Sequence, residues 1–252
     1  LAHGLAHPFS LAYALCLATV AHQYRREWNQ TQEQAEAGIV LATEQRFPFW
    51  VAQCTIYRGR AVAEHGHATD GIEQIRWGIA AMRDTGAEVF QSYFLGLLAE
   101  AYLKDGQVEE GLATVAEALA FVDRTEERFY EAELWRIKGE LRLAQEIKSQ
   151  KSKGKSQKSE NPEPRAQSLE PQSEAEACFL KAIEVAQKQQ AKSLELRAVM
   201  SLAQLWQQQG KQQEARQILA NIYGWFTEGF DTKDLQEAKA LLAELGEAHG
   251  TT

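Results

Sequence analysis

Proline is scarce in this sequence: five residues in 252, three of them (Pro162, Pro164 and Pro171) gathered in one short stretch. Long segments therefore lack the residue that breaks helices most effectively. Cysteine is scarcer still. Cys16, Cys54 and Cys178 show no CxxC spacing and read as small apolar residues in a reducing compartment. No apolar run approaches the roughly 18–20 residues of a membrane span. No secretory leader is visible, and the first residue is Leu1 rather than Met, as in a fragment of a longer protein; a cytoplasmic setting is the expectation. The net charge is −8, which argues against nucleic acid or an anionic membrane as the main partner, because phosphate binding needs clustered Lys and Arg.

Sites for chemistry are missing as well. There is no GxxxxGKS/T and no GxGxxG, so no loop to cradle a phosphate. His3 and His7 are four apart but belong to no HExxH, and His65-Gly66-His67 reads as a solvated turn more readily than as a metal site. The acid pairs Glu109/Glu110, Glu126/Glu127 and Glu131/Glu133 have no nucleophile beside them and read as solvated helix faces. No catalytic residue, cofactor or metal is expected.

What the sequence does contain is a repeat. In residues 93–122, Tyr93, Leu97, Leu98, Ala101 and Tyr102 share one helical face, and Leu112, Val115, Ala116, Leu119 and Val122 another, with Gly106 at the turn between them. A small residue stands seven positions before that turn. It is Ala99 here, and its counterparts are Ala18, Gly59, Gly139 and Ala203, at spacings of 41, 40, 40 and 64, the last being one period of 40 plus 24 extra residues. The second helices carry small–large–small sets: Ala35/Ile39/Ala42, Gly71/Ile75/Gly78, Gly111/Val115/Ala118, Ala175/Phe179/Ala182 and Ala215/Leu219/Ile222. The small residue permits close helix approach, and the large one is expected to fill the groove of the next repeat. Five helix pairs follow, over 8–26/30–46, 48–65/69–84, 88–105/107–123, about 128–145/173–190 and 193–209/211–225. A last helix, capped by Thr232 or Asp231, presents Leu235, Ala238, Leu241, Leu242 and Leu245 on one face to seal the end.

Three segments result: repeats 1–3 and the first helix of repeat 4 in 1–146, an insertion over 147–171, and the remainder in 172–252. The insertion holds almost no large apolar side chains and is predicted to be disordered. Its Lys148, Lys151, Lys153, Lys155, Lys158 and Arg165 admit a tether to an anionic partner, although a solvated insertion is the simpler reading. Trp28, Trp50, Trp77, Trp135, Trp206 and Trp225 lie mostly beside the small residues, which suggests core packing, with a peptide-gripping aromatic as the other reading.

LLAEAYLKDGQVEEGL and ELRAVMSLAQLWQQQGKQQEARQIL resemble tetratricopeptide repeats (TPR), though a period of 40 departs from that family's usual 34 and implies longer helices or turns. More narrowly, HPFSLAYAL, YFLGLLAEAY, ELWRIKGELRLA, ACFLKAIEVA, KSLELRAVMSLAQLW and YGWFTEGFDTKDLQEAKALL are similar to the C-terminal repeat region of large bacterial signalling ATPases of the AAA/STAND type, often fused to class III adenylate or guanylate cyclase domains. The resemblance implies an all-α, TPR-like α-solenoid, a right-handed superhelix of about five helix pairs plus a C-terminal capping helix. It implies a non-catalytic protein-interaction or regulatory sensor region that binds a protein or peptide, including the parent's own ATPase or cyclase domains. Its concave wall would come from the first helices, which nominates Gln53, Arg60, Tyr93, Glu100, Arg136, Glu140, Arg197 and Gln204 as partner-binding residues. These side chains could equally pair with one another between adjacent repeats. An oligomerisation scaffold and the sensor arm of a transcriptional regulator are the rival functions.

Overall fold

The computed structural model describes residues 7–156 and 169–247. Among these residues are eleven helices and no strand: α1 (Pro8–Tyr24), α2 (Trp28–Glu44), α3 (Pro48–Glu64), α4 (Ala68–Asp84), α5 (Gln91–Asp105), α6 (Val108–Thr125), α7 (Glu131–Ser156), α8 (Leu169–Lys188), α9 (Lys192–Gln208), α10 (Gln212–Tyr223) and α11 (Lys233–Glu247). They form two compact units, α1–α6 up to Glu127 and α7–α11 from Arg128. In each unit consecutive helices pack as antiparallel pairs, the arrangement of an all-α TPR-like α-solenoid.

The 40-residue period has a simple origin. Backbone of positive φ recurs at Arg26, Arg46, Gly66, Gly86, Gly106 and Glu126, every twenty residues, and again at Gln190 and Gly210. At most of these turns the following N–H donates to a carbonyl five residues back. Examples are Phe47 to Ala42 at 2.8 Å, His67 to Val62 at 3.2 Å, Gln107 to Tyr102 at 2.9 Å and Lys211 to Trp206 at 2.9 Å. This is the Schellman closure, which satisfies the last orphan carbonyls of a helix. One repeat is thus two modules, each a helix of about 17 residues and a three-residue stop. At Gly66 and Gly106 the absence of a Cβ makes the left-handed step free of clash; Arg26, Arg46, Glu126 and Gln190 adopt it at a cost. At the other end of α1, Pro8 occupies the first turn, and the Ser10 N–H donates to His7 Nδ1 at 3.2 Å.

The small–large–small sets are buried, except that Ile39 of the first set is half-buried. Ala35, Ala42, Ile75, Val115, Ala118, Ala175, Phe179, Ala182, Ala215, Leu219 and Ile222 all lie in the core. A Cβ placed on Gly59 would stand 2.9 Å from Ile75, and one on Gly139 would run into the Phe179 ring. In these two pairs the large side chain fills the hole left by the glycine of its own pair. In the second unit, Leu235, Ala238, Leu241 and Leu245 of α11 are buried on the cluster built by α8, α9 and α10. The Thr232 hydroxyl, expected as an N-cap, instead donates to the Gly229 carbonyl at 2.6 Å.

Over the expected insertion, residues 147–156 are the last turns of α7 and 169–171 the first of α8; 157–168 lie outside the described residues. Lys and Gln are good helix formers, and lengthening an existing helix adds a hydrogen bond for each residue ordered. Of the tryptophans, Trp28, Trp50, Trp135 and Trp206 are half-buried, whereas Trp77 and Trp225 are more than half exposed. The three cysteines are buried and unpaired. A hydrogen bond with Cys54 and burial push the Cys16 thiol up, far from its thiolate form.

Candidate functional site

Within the first unit α1, α3 and α5 lie side by side, and within the second α7, α9 and α11 do the same. These are the first helices of the repeats, and the eight nominated residues sit on them. Gln53, Arg60, Tyr93, Glu100 and Arg136 are buried, Glu140 and Arg197 half-buried, and Gln204 exposed.

Most of the buried polar groups on this wall are paired; Gln53 Oε1 and Glu133 Oε2 are buried without a hydrogen-bond partner. The Tyr93 hydroxyl donates to Gln23, and its ring stacks on Tyr24 at 5.7 Å and tilts against Tyr57 at 6.1 Å. Gln53 Nε2 donates to the Tyr57 hydroxyl at 3.1 Å. The Arg60 guanidinium lies 4.9 Å over the Trp28 ring and donates to Glu64 and, at 3.2–3.3 Å, to Glu100. Lys104 closes the ladder by donating to Glu64. Arg60–Glu100 and Glu64–Lys104 are each separated by 40 residues, so one repeat is pinned to the next by two ion pairs. In the second unit the fully buried Glu133 carboxylate accepts from Arg136 at 2.6 and 2.8 Å and from Arg197 at 2.8 Å. Arg136 also donates to Glu140, which accepts from the Ser201 hydroxyl at 3.0 Å.

Such charges repay their desolvation only where several hydrogen bonds converge, and what they secure best is register. Three members of this network were not nominated: Glu64, Lys104 and Glu133. Glu64 and Lys104 stand five positions after the small residues Gly59 and Ala99, and Glu133 six before Gly139, the place that Gln53 and Tyr93 take in their own helices. Glu133, read as solvated, is drawn inside by Arg136 one turn on. Glu127, also read as solvated, caps α5 by accepting from the Phe90 N–H at 2.9 Å and the Ser92 hydroxyl at 2.7 Å.

Burial alone would raise the Glu64 carboxyl, but Arg60 and Lys104 outweigh it and hold the group below the ordinary carboxylate value. Its contribution to stability is then complete above that ordinary value and is lost as pH falls through the lowered one. Glu64→Gln should be less stable than the parent at neutral pH, and the gap should close in acid. Urea unfolding across that pH range checks this; a gap independent of pH would contradict it.

On α1, at the end of this wall, Phe9, Tyr13, Leu17 and Tyr24 are exposed and fall on one helical face. A cleft of about 790 Å³ lies beside the exposed Trp77 and is lined by Phe47, Pro48, Val51 and Ala81. A second, of about 700 Å³, is bordered by Arg83, Gln91, Glu117, Phe121 and Arg124. Among the described residues no group of three or more His, Cys, Asp or Glu could hold a metal ion, and no helix is long and apolar enough to cross a membrane.

No protein-family model and no curated protein matches the chain. Solved structures do. Two crystal structures of a kinesin light chain-like protein of Podosopora anserina with nearly identical TPR-like repeats, one of them a point variant, are similar to it at 16% identity. The variant covers 96% of this chain and 98% of its own at a TM-score of 0.52; the other covers 98% and 100% at 0.51. At that identity the likeness shows the fold, a stack of TPR-like helix pairs.

Proposed function

We propose that this chain is a non-catalytic protein-interaction and regulatory sensor arm of a larger bacterial signalling ATPase or nucleotide cyclase, working in the cytoplasm on a protein or peptide rather than on nucleic acid or a membrane. The observation that carries the interaction reading is the α1 row: Phe9, Tyr13, Leu17 and Tyr24 remain 43–50% exposed on one face of a helix in a TPR-like stack. Contiguous apolar surface of this kind marks a docking face. The ATPase and cyclase context rests on the resemblance of the sequence phrases quoted above. In that context a partner, or the parent's own ATPase or cyclase domain, would bias the ATPase module by binding one of its states more tightly. On the first-helix wall the partner contacts fall to Gln204, Glu140 and Arg197; Arg60, Tyr93, Glu100 and Arg136 are engaged within the stack, and Gln53 donates to Tyr57 of its own helix.

The test is a pull-down by the purified chain from its own cell extract, with captured proteins identified. It is compared with Tyr13→Ser/Leu17→Glu and with Gln204→Arg, all at exposed positions. Loss of a partner from the first variant locates it on α1, and loss from the second on the wall. Identical capture by all three contradicts both surfaces, and nucleotide turnover by the purified chain contradicts the non-catalytic reading. The α1 row also favours an oligomerisation scaffold. That reading requires a size by light scattering that rises with concentration and stops rising in Tyr13→Ser/Leu17→Glu.

A further inference from the structure

Between α8, α9 and α10 lies a pocket of about 230 Å³, the size of a single side chain. Ile183, Val199 and Ile222 give it an apolar wall. Glu195 opens into it with only 6% of its surface exposed, and its two oxygens accept from Gln187 Nε2 at 2.9 Å and from Lys192 Nζ at 2.7 Å. Lys192 Nζ also stands 5.8 Å from the centre of the Trp225 ring, which is 58% exposed. A buried carboxylate facing an aromatic ring is a pair that holds an ammonium, one through a charge-assisted hydrogen bond and the other through the ring quadrupole. The chain fills this place with its own Lys192, a flexible side chain in the first turn of α9 that keeps 30% of its surface in water.

We infer that the pocket receives the ammonium of a lysine side chain on a basic partner segment, in exchange for Lys192. The inference rests on the interaction reading and gives the partner its chemistry. Exchanging one ammonium for another keeps Glu195 paired throughout, so no buried charge is left bare. The incoming side chain covers the exposed Trp225 ring, and the net charge of −8 favours a basic partner over an acidic one.

Calorimetric titration of the whole chain with an acetylated, amidated tri-lysine peptide tests this. Trp225→Leu and Glu195→Gln should each weaken binding roughly tenfold, and Lys192→Met, which removes the internal competitor, should tighten it several-fold. Lys239→Met, equal in charge change but on α11, should leave the affinity unaltered, and a tri-glutamate peptide should not bind. Trp225 is exposed, so its variant keeps the fold even if Glu195→Gln does not. The pocket is ruled out if tri-lysine fails to bind the Lys192→Met chain, or if Trp225→Leu and Lys192→Met bind it as the parent does. If a partner found by pull-down is still captured by Trp225→Leu while tri-lysine does not bind, the pocket falls and the interaction reading stands.

Discussion

Gly71→Val should lower the melting temperature of the first unit by about 10 °C, the consequence of overpacking costing ~3 kcal/mol. A Cβ on Gly71 would stand 2.5 Å from the Gly59 carbonyl oxygen and 2.8 Å from the Ala63 backbone nitrogen and Cβ. Two of those three atoms belong to the main chain of α3, which cannot turn aside as a side chain can. The glycines face each other: a Cβ on Gly59 would lie 2.7 Å from the Gly71 carbonyl. The α3–α4 seam therefore has no room on either side, and any branched residue must force the helices apart along their length. Gly38→Ala is the control, because its new methyl meets only the Cys54 sulfur at less than 3 Å, and that thiol can move. Thermal unfolding followed by circular dichroism checks both. Equal losses for the two variants would contradict the account given for the seam.

Arg60→Met should destabilise the first unit by about 3–5 kcal/mol, the usual cost of stripping one partner from a buried pair. The loss comes less from the missing attraction than from Glu100 and Glu64, which keep their charges in a place with little water. The double variant Arg60→Met/Glu100→Met should recover more than half of it, since apolar residues of similar volume carry no desolvation penalty there. Urea unfolding of the parent, both single variants and the double variant gives the coupling directly; additive losses would show that the pair is not a unit. The same burial explains why reversing charge at Arg60 or Arg136 is a poor way to blank a binding groove. A carboxylate at Arg136 would lie against Glu133 and Glu140, and the repeats would separate before any partner was tested.

The helical repeat was legible because its signals are local. A small residue every 40 positions, a small–large–small set in each second helix and Gly at 66, 86, 106 and 210 all act through helix periodicity and turn sterics. The module of twenty was harder to see. Arg26, Arg46, Glu126 and Gln190 take the left-handed step that glycine marks elsewhere, and only packing on both sides of the turn compels them to. The continuation of α7 to Ser156 escaped a reading based on apolar content, because an established helix extends through polar residues that could not start one.

For the candidate site the division is sharper. The first helices that carry the eight nominated residues lie side by side within each unit, and the sequence left two readings of those residues open: a surface for a partner, or pairs between neighbouring repeats. An arginine and a glutamate look the same in sequence whether they meet water, a partner or each other. Some partners stand a turn away on the same helix, as Glu64 does from Arg60. Glu100 and Arg197, by contrast, reach Arg60 and Glu133 from the next repeat, so whether a charge is buried depends also on how helices far apart in the chain come to lie side by side. Tertiary structure alone could place Arg60 on Glu100, draw Glu133 between Arg136 and Arg197, and close Lys192 between Glu195 and Trp225. The sequence by itself determined where the helices run and which faces they bury, through interactions within a turn or two of chain. The fold decided which polar groups are shut away from water, because desolvation depends on the whole surroundings of a group and not on its neighbours in the chain.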